Sequence, residues 1–489
     1  MLKTAGWLLP AILALAGCSS SGQRHEQTLS QALAAIGQDK VLVGASSGVM
    51  VRDADSGTVL YQAHAQQRLA PASNMKMFTS LAAFGVLGAD YRFETRLLTT
   101  GEQRGDILQG DLYLQGSGDP TLHPDDLDTF AATLAQRGIR QIHGRLILDA
   151  SAFDQTPFGA GWSWDDEPFA FGAPISALNY AFTPGGDINV VRVDVQPGAR
   201  AGAPGRVSFY PANDAVTLVN RTTTTGGDTA LTFDRQPGSN RIVVSGTIAA
   251  QAETRSRLIT VDQPARVIGA LLQHTLRAHG ITLRGNAEEG VTPADARLLA
   301  EETSPPLSRL AVTFLKVSNN GYGEVLTKAM GRKTQGKGDW AAGLQAIGQF
   351  VQSQGIAAGA YRQVDGSGLS RMNQITAQQL TTLLLAARKQ PWFAAWYNAL
   401  PIAGQPGLLV GGTLQSRMVK TAAAGRAHAK SGSMTGVSSL SGYVDSATGR
   451  PLAFAIISNN YLVPGAEVKA LEDRLVETLA ACDATVVCR

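Results

Sequence analysis

Cysteine is almost missing from these 489 residues: Cys18 stands near the start, and Cys482 and Cys488 at the end. Three cysteines exclude a disulfide-dense scaffold. A surplus of one charge is missing too, with 42 Lys and Arg against 39 Asp and Glu, so nothing electrostatic argues for nucleic acid as a partner. The seven His are scattered and form no His-Glu-x-x-His, which leaves a zinc peptidase unsupported. After the first residues, no apolar run is long enough to cross a bilayer. What is present is a 44% hydrophobic chain, long enough for two or three domains with buried cores and too apolar to be wholly disordered.

Met1-Leu2-Lys3 followed by the uncharged run Gly6 to Ala16 reads as a secretory signal. The run ends in Leu15-Ala16-Gly17-Cys18, which resembles the bacterial lipobox. The resemblance implies a lipoprotein signal peptide over residues 1–17, lipidation of Cys18 and a periplasmic protein held by lipid alone. Ser19 resembles the pattern that sorts lipoproteins to the outer membrane, and an ordinary signal peptide is the alternative. In an oxidising compartment the two remaining cysteines, Cys482 and Cys488, suggest a disulfide that staples the tail. Zinc is the weaker alternative, because no His lies nearby and two ligands do not make a structural site.

Gln27 to Ile36 has helical patterning, and Val41 to Tyr61 reads as two strands joined by a turn at residues 53–57. Met75 to Leu87 is an apolar helix entered through Pro71-Ala72-Ser73-Asn74. From about residue 91 to 290 short alternating runs predominate, with helical interruptions at Asp125 to Arg137 and Ala265 to His279. Helices return from Pro306. Strands are expected at Ala427 to Met434, Ser438 to Asp445 and Leu452 to Asn459, before a closing helix with Val468, Leu471, Leu475 and Leu479 on one face. Strands at both ends suggest one sheet assembled from both termini. This predicts a split domain (18–90 and 291–489) around a strand-rich insertion (91–290).

Ser73-Asn74-Met75-Lys76 places a serine and a lysine one helical turn apart on one face. A serine nucleophile needs a base, and a desolvated lysine can be one once its pKa falls. Alone this spacing is weak, since a capping serine followed by a surface lysine looks the same. Two further elements follow in order: Ser318-Asn319-Asn320, in a break between helices, and Lys430-Ser431-Gly432, on an expected strand. Ser-x-x-Lys, Ser-x-Asn and Lys-Ser/Thr-Gly in this order resemble the signature of the penicillin-recognising serine enzymes. A second Ser-Asn-Asn at Ser458 follows the Lys-Ser-Gly and is out of order.

The long gap between Ser73 and Ser318 narrows the resemblance to the class C low-molecular-weight penicillin-binding proteins. These are D-alanyl-D-alanine carboxypeptidase/endopeptidases of the penicillin-binding protein 4 type. Gly110-Asp111-Leu112-Tyr113-Leu114, Gly118-Asp119-Pro120-Thr121-Leu122, Gly161-Trp162-Ser163-Trp164-Asp165-Asp166 and Asp365-Gly366-Ser367-Gly368-Leu369-Ser370-Arg371 carry it further. It implies a mixed α/β (α+β) fold of the penicillin-binding transpeptidase-like, β-lactamase-like kind. That fold has an antiparallel five-stranded sheet, flanking helices, a helical subdomain and a strand-rich insertion. It also implies peptidoglycan stem peptides and β-lactams as ligands, with no metal or organic cofactor.

By the same resemblance Ser73 is the acylated nucleophile, Lys76 its base and Ser318 a proton relay. Asn320 would bond the substrate backbone, Lys430 supply positive potential and Ser431 hold the terminal carboxylate. The oxyanion would lie between the N–H groups of Ser73 and Ser433, beside Gly432 on the edge strand. Arg371, Asp154 and Phe158 are candidates for the pocket of the diaminopimelate side chain. Serine replaces the commoner threonine of Lys-Thr-Gly, and the lipobox is unusual for this family. Three competitors are a β-lactamase, for which no motif supplies a deacylating water, a silent peptidoglycan-binding lipoprotein, and an α/β-hydrolase elbow at Gly44-Ala45-Ser46-Ser47-Gly48. The elbow needs a strand before it and a helix after it, whereas strand-like residues follow, so a turn is expected there.

Overall fold

The computed structural model describes residues 28–482, so the expectations for the signal segment, Cys18 and Cys488 lie outside the described residues. Five strands form one antiparallel sheet: β1 (Ser46–Asp53), β2 (Val59–Ala63), β3 (Ala427–Met434), β4 (Val437–Asp445) and β5 (Pro451–Asn459), in the order β3-β4-β5-β1-β2. The N-terminal hairpin therefore pairs with the C-terminal meander through β1 and β5, in register from Ser46 opposite Asn459 to Asp53 opposite Leu452. Gly44 is a left-handed turn residue and Ser46 opens β1, so no helix follows the Gly-x-Ser-x-Gly segment.

Side-chain alternation sorts this sheet into two cores. Leu452, Phe454 and Ile456 of β5 join Val49 and Val51 of β1 against α1 (Leu29–Gly37) and the closing helix Gly465–Ala481. That helix contributes Leu471, Leu475 and Leu479. On the opposite face Ala453, Ala455 and Ile457 join Met50 and the helical subdomain. Its helices are α2 (Met75–Val86), α3 (Leu307–Lys316), α4 (Asn320–Gln335), α5 (Trp340–Ser353) and α6 (Ala377–Ala387). Every residue of α2 from Met75 to Phe84 is buried, so the chain runs through the centre of the molecule immediately after Ser73.

While Phe153, Ile175 and Ile188 of the segment from Leu97 to Leu299 join the helical core, other residues of that segment build a second apolar core. It is roofed by the helices Pro124–Gln136 and Pro264–Ala278 and by several short sheets. One of these sheets pairs Glu94–Thr99 with Arg297–Thr303, which brings the entry and exit of the segment together.

β3 is the outer strand of the five-stranded sheet, and its free side is only partly open. Ala403 N–H bonds Ala427 O at 2.9 Å and Ala429 N–H bonds Pro401 O at 3.0 Å, covering the beginning of the strand. Beyond its other end, Arg371 Nη2 donates to Thr435 O at 2.7 Å.

Candidate active site

Ser73 lies in a single 3-10 turn, Ala72–Asn74, that leads directly into α2. Asn459 anchors the approach to this turn, accepting from Ala70 N–H at 2.8 Å and donating to Ala70 O at 3.0 Å. Asn74 anchors its exit: its Nδ2 donates to Ser439 Oγ at 2.7 Å, and its Oδ1 accepts from Ser441 Oγ. Both partners are on β4, so the Ser73 turn is fastened to the sheet as well as to its helix.

Two glycines allow the approach. A Cβ on Gly432 of β3 would lie 2.5 Å from Pro71 O and 3.0 Å from Ser73 N. A Cβ on Gly368, at φ +86°, would lie 1.9 Å from Ala72 O. The Lys-Ser-Gly strand and the Asp365 loop can close on Ser73 only because these positions carry no side chain.

Lys76 is fully buried, and its Nζ donates to Ser73 Oγ at 2.9 Å, Asn320 Oδ1 at 2.7 Å and Ser367 O at 2.7 Å. Three acceptors satisfy all three ammonium protons. Burial pulls this amine down to about 7, against the opposing pull of Glu324 and Asp365. Lys430, equally buried on β3, donates to Ser318 Oγ at 2.8 Å and Ser431 O at 2.6 Å. Burial first, and then the nearby Lys76, hold it well below the ordinary lysine range.

Ser318 has φ +63°, a left-handed conformation that costs a non-glycine residue about 1–2 kcal/mol. The conformation follows from its place between α3 and α4. Asn319 caps α4 through Tyr322 N–H at 3.2 Å and donates to Gly185 O and Gly186 O, leaving Ser318 to make the reversal.

The profile of the D-Ala-D-Ala carboxypeptidase 3 (S13) family matches residues 29–482. The chain belongs to that family. It is 42% identical over 480 residues to the D-alanyl-D-alanine carboxypeptidase of Actinomadura sp. (strain R39), covering 97% of this chain and 88% of the relative. Against the D-alanyl-D-alanine carboxypeptidase DacB of Haemophilus influenzae the identity is 27% over 444 residues, 90% of each chain. The crystal structure of penicillin binding protein 4 (dacB) from H. influenzae superposes with a TM-score of 0.78 at 27% identity, covering 89% of this chain and 96% of that one. The same protein in complex with a β-lactam superposes at 0.74, with 26% identity and coverage of 89% and 95%. The mixed α/β, penicillin-binding-protein fold expected from the sequence is the fold found.

Within this S13 fold, Ser73, Lys76 and Asn320 meet around one amine, Ser318 meets Lys430, and Gly432 abuts Ser73. Ser433 is exposed on the edge strand. Two polar groups expected to face a substrate already have protein partners. Asn320 Nδ2 donates to Phe171 O at 2.9 Å, and Ser431 Oγ bonds Thr413 Oγ1 at 2.8 Å. The three pocket candidates are engaged outside the two-lysine cluster. Arg371 bonds Thr435 O, Asp154 forms a 2.5 Å ion pair with buried Lys328, and the Phe158 ring packs 6.4 Å from that of Trp162. Phe158 and Trp162 also line a small cavity of about 110 Å³ with Trp164, Asp166 and Glu167.

Sequence reasoning passed over Asn74, Glu324, Thr413 and Phe171. Asn74 was inside the first motif. Glu324 lies four residues after Asn320 on the same helix, a spacing that places both on one face. Thr413 and Phe171 carry no local signal, since each matters through a residue remote in the chain.

Cys482 is buried and disulfide-bonded, and the other cysteine of the expected pair, Cys488, lies outside the described residues. Among the described residues no helix is long and apolar enough to cross a membrane.

Proposed function

We propose that the chain is a penicillin-sensitive serine D-alanyl-D-alanine carboxypeptidase and endopeptidase. On this reading Ser73 Oγ attacks the carbonyl of the penultimate D-alanine of a peptidoglycan stem peptide and passes its proton to the neutral Lys76 amine. The tetrahedral oxyanion sits between the N–H groups of Ser73 and Ser433. As the C–N bond breaks, the leaving amine takes a proton relayed through Ser318 Oγ, and water then hydrolyses the Ser73 ester. Asn320 Nδ2 exchanges Phe171 O for the substrate backbone, and Ser431 and Lys430 meet the terminal carboxylate, an anion that favours the ammonium form of Lys430. Arg371, with Asp154 and Phe158, belongs to the side-chain pocket.

The observation that carries this reading is the paired contact of two buried lysines with two serines, Lys76 with Ser73 and Lys430 with Ser318. Covalent labelling by a fluorescent penicillin tests it. Wild type should label and Ser73→Ala should not; an unlabelled wild type, or a labelled Ser73→Ala, overturns it. Digestion of purified cross-linked muropeptides then measures carboxypeptidase against endopeptidase release. Turnover of the drug with intact muropeptides would indicate a β-lactamase instead.

For the whole chain, the proposed layout is a split catalytic domain (18–90 and 291–489) around the insertion 91–290. Residues 1–17 are read as a signal peptide, and Cys18 as a lipid anchor holding the protein in the periplasm at the outer membrane. Leu15-Ala16-Gly17-Cys18 supports the anchor. Cys18→Ala should move the protein from the membrane fraction to the soluble one.

A further inference from the structure

Two fully buried carboxylates near Lys76, Glu324 and Asp365, have no part in the mechanism above. Glu324 projects from α4 into the Asp365 loop, where Oε1 accepts Ser367 N–H at 2.7 Å. Its Oε2 accepts Gly366 N–H and Trp340 Nε1–H, each at 2.8 Å. From the other side Thr79 Oγ1 on α2 donates to Gly366 O at 2.7 Å. The peptide segment clamped between the two helices is the one whose next carbonyl, Ser367 O, receives Lys76 Nζ.

All three partners of Glu324 are donors, and none accepts a carboxylic proton. That set favours the ionised form, while burial, with Asp365 second, pushes the carboxyl up to about 7. A neutral acceptor would hold a loop at less cost, because an ion without compensation loses several kcal/mol on burial. The compensation here is cationic. Lys76 faces Glu324 from α2, and Lys328 lies one turn along α4 with its Nζ over the Trp340 ring, 3.8 Å from the centroid. The other charged groups around this cluster are Asp365 from the loop, Asp154 and Asp339 beside Lys328, and Lys430 beyond Lys76.

We propose that Glu324 is a positioning residue for Lys76: through the Gly366–Ser367 peptide it fixes one of the three acceptors of the amine, and it places a negative charge behind it. The inference rests on Lys76 being the base for Ser73. Glu324 touches neither the nucleophile nor the substrate.

The test follows the rate of acylation by a fluorescent penicillin across the neutral pH range in wild type and Glu324→Gln, with a thermal melt of each. Removing the carboxylate charge makes Lys76 easier to deprotonate, so the acid limb should move to lower pH by about one unit. The plateau should drop about tenfold, because the Ser367 carbonyl is no longer held. A folded Glu324→Gln with the wild-type profile overturns the proposal. If that variant does not fold, Trp340→Phe removes one donor while leaving the carboxylate; it should move the limb in the same direction by less, and an unmoved limb overturns the proposal. Lys76→Ala separates the two failures. If it acylates at the wild-type rate, the base reading fails. If it is inert while Glu324→Gln is like wild type, only the positioning inference fails.

Discussion

A lysine amine accepts a proton from a serine only after shedding its own, and in water that happens far above neutral pH. Burial brings Lys76 down to about 7, so if Lys76 is the proposed base, acylation should rise with pH through the neutral range, following the neutral form. A midpoint in the ordinary lysine range, measured by penicillin labelling, would contradict this. His428 on the same strand as Lys430 is not the source of such a limb, since burial, with Lys316 second, holds its imidazole down to about 4. Lys76→Ala should slow acylation by about 10²–10⁴-fold, the usual size of a general-base contribution. Ser318→Gly should separate stability from function. Glycine relieves the left-handed φ but takes an acceptor from the buried Lys430 ammonium, so the melt should move by no more than about 1 kcal/mol, while loss of the hydroxyl lowers the rate of D-alanine release. The motif serines and lysines were legible in the sequence because their chemistry dictates residue type and order. Glu324 and Thr413 were not, because their partners, Gly366, Ser367 and Ser431, are neighbours only after folding.

The strands of the main sheet were legible for a related reason. In β5, Leu452, Phe454 and Ile456 alternate with Ala453, Ala455 and Ile457, and both sets are buried, each against a different layer. The alternation fixes two faces, and the turn residues 446–449 fix where β4 ends. What stayed hidden was which distant strand each edge meets. The parallel pairing of Thr217–Thr225 with Arg241–Ala249 has no local signature, because parallel partners are joined by a crossover and not by a turn. The contacts that fasten one element to another also escape a sequence reading. The second Ser-Asn-Asn, set aside as out of order, proves to be such a contact, since Asn459 bonds both the N–H and the carbonyl of Ala70 ahead of the Ser73 turn. Asn459→Ala leaves two buried backbone groups unpaired and should cost about 1–3 kcal/mol in chemical denaturation. Gly432→Ala drives a methyl into Pro71 O between strand and turn. It should lose about 1–3 kcal/mol and slow labelling even where the protein still folds.

At the scale of the molecule, the strand-rich segment is held against the helices by apolar residues that join their core, among them Phe153, Ile175 and Ile188, and by a set of polar contacts. Lys328 bonds Asp154 and Thr156 O, Trp162 Nε1 donates to Asp365 Oδ2, and Asn320 donates to Phe171 O. Asp154→Ala leaves the Lys328 ammonium buried without its carboxylate. Because Asp154 is itself 35% exposed, the cost should be about 1–3 kcal/mol, below that of a fully buried pair. Hydrogen exchange should then quicken about tenfold over residues 154–172, with the core from Leu97 to Leu299 unchanged. The outer strand of the sheet carries a different consequence. Pro401 and Ala403 occupy one end of β3 and Arg371 stops the other, so the unpaired stretch runs only from Lys430 to Met434. At about 3.3 Å per residue this is a berth of roughly 16 Å. A berth that short has room for the end of a peptide or a short bridge, and it is too brief for a second sheet to zip onto; the same two stops that bound it also keep the exposed edge from aggregating.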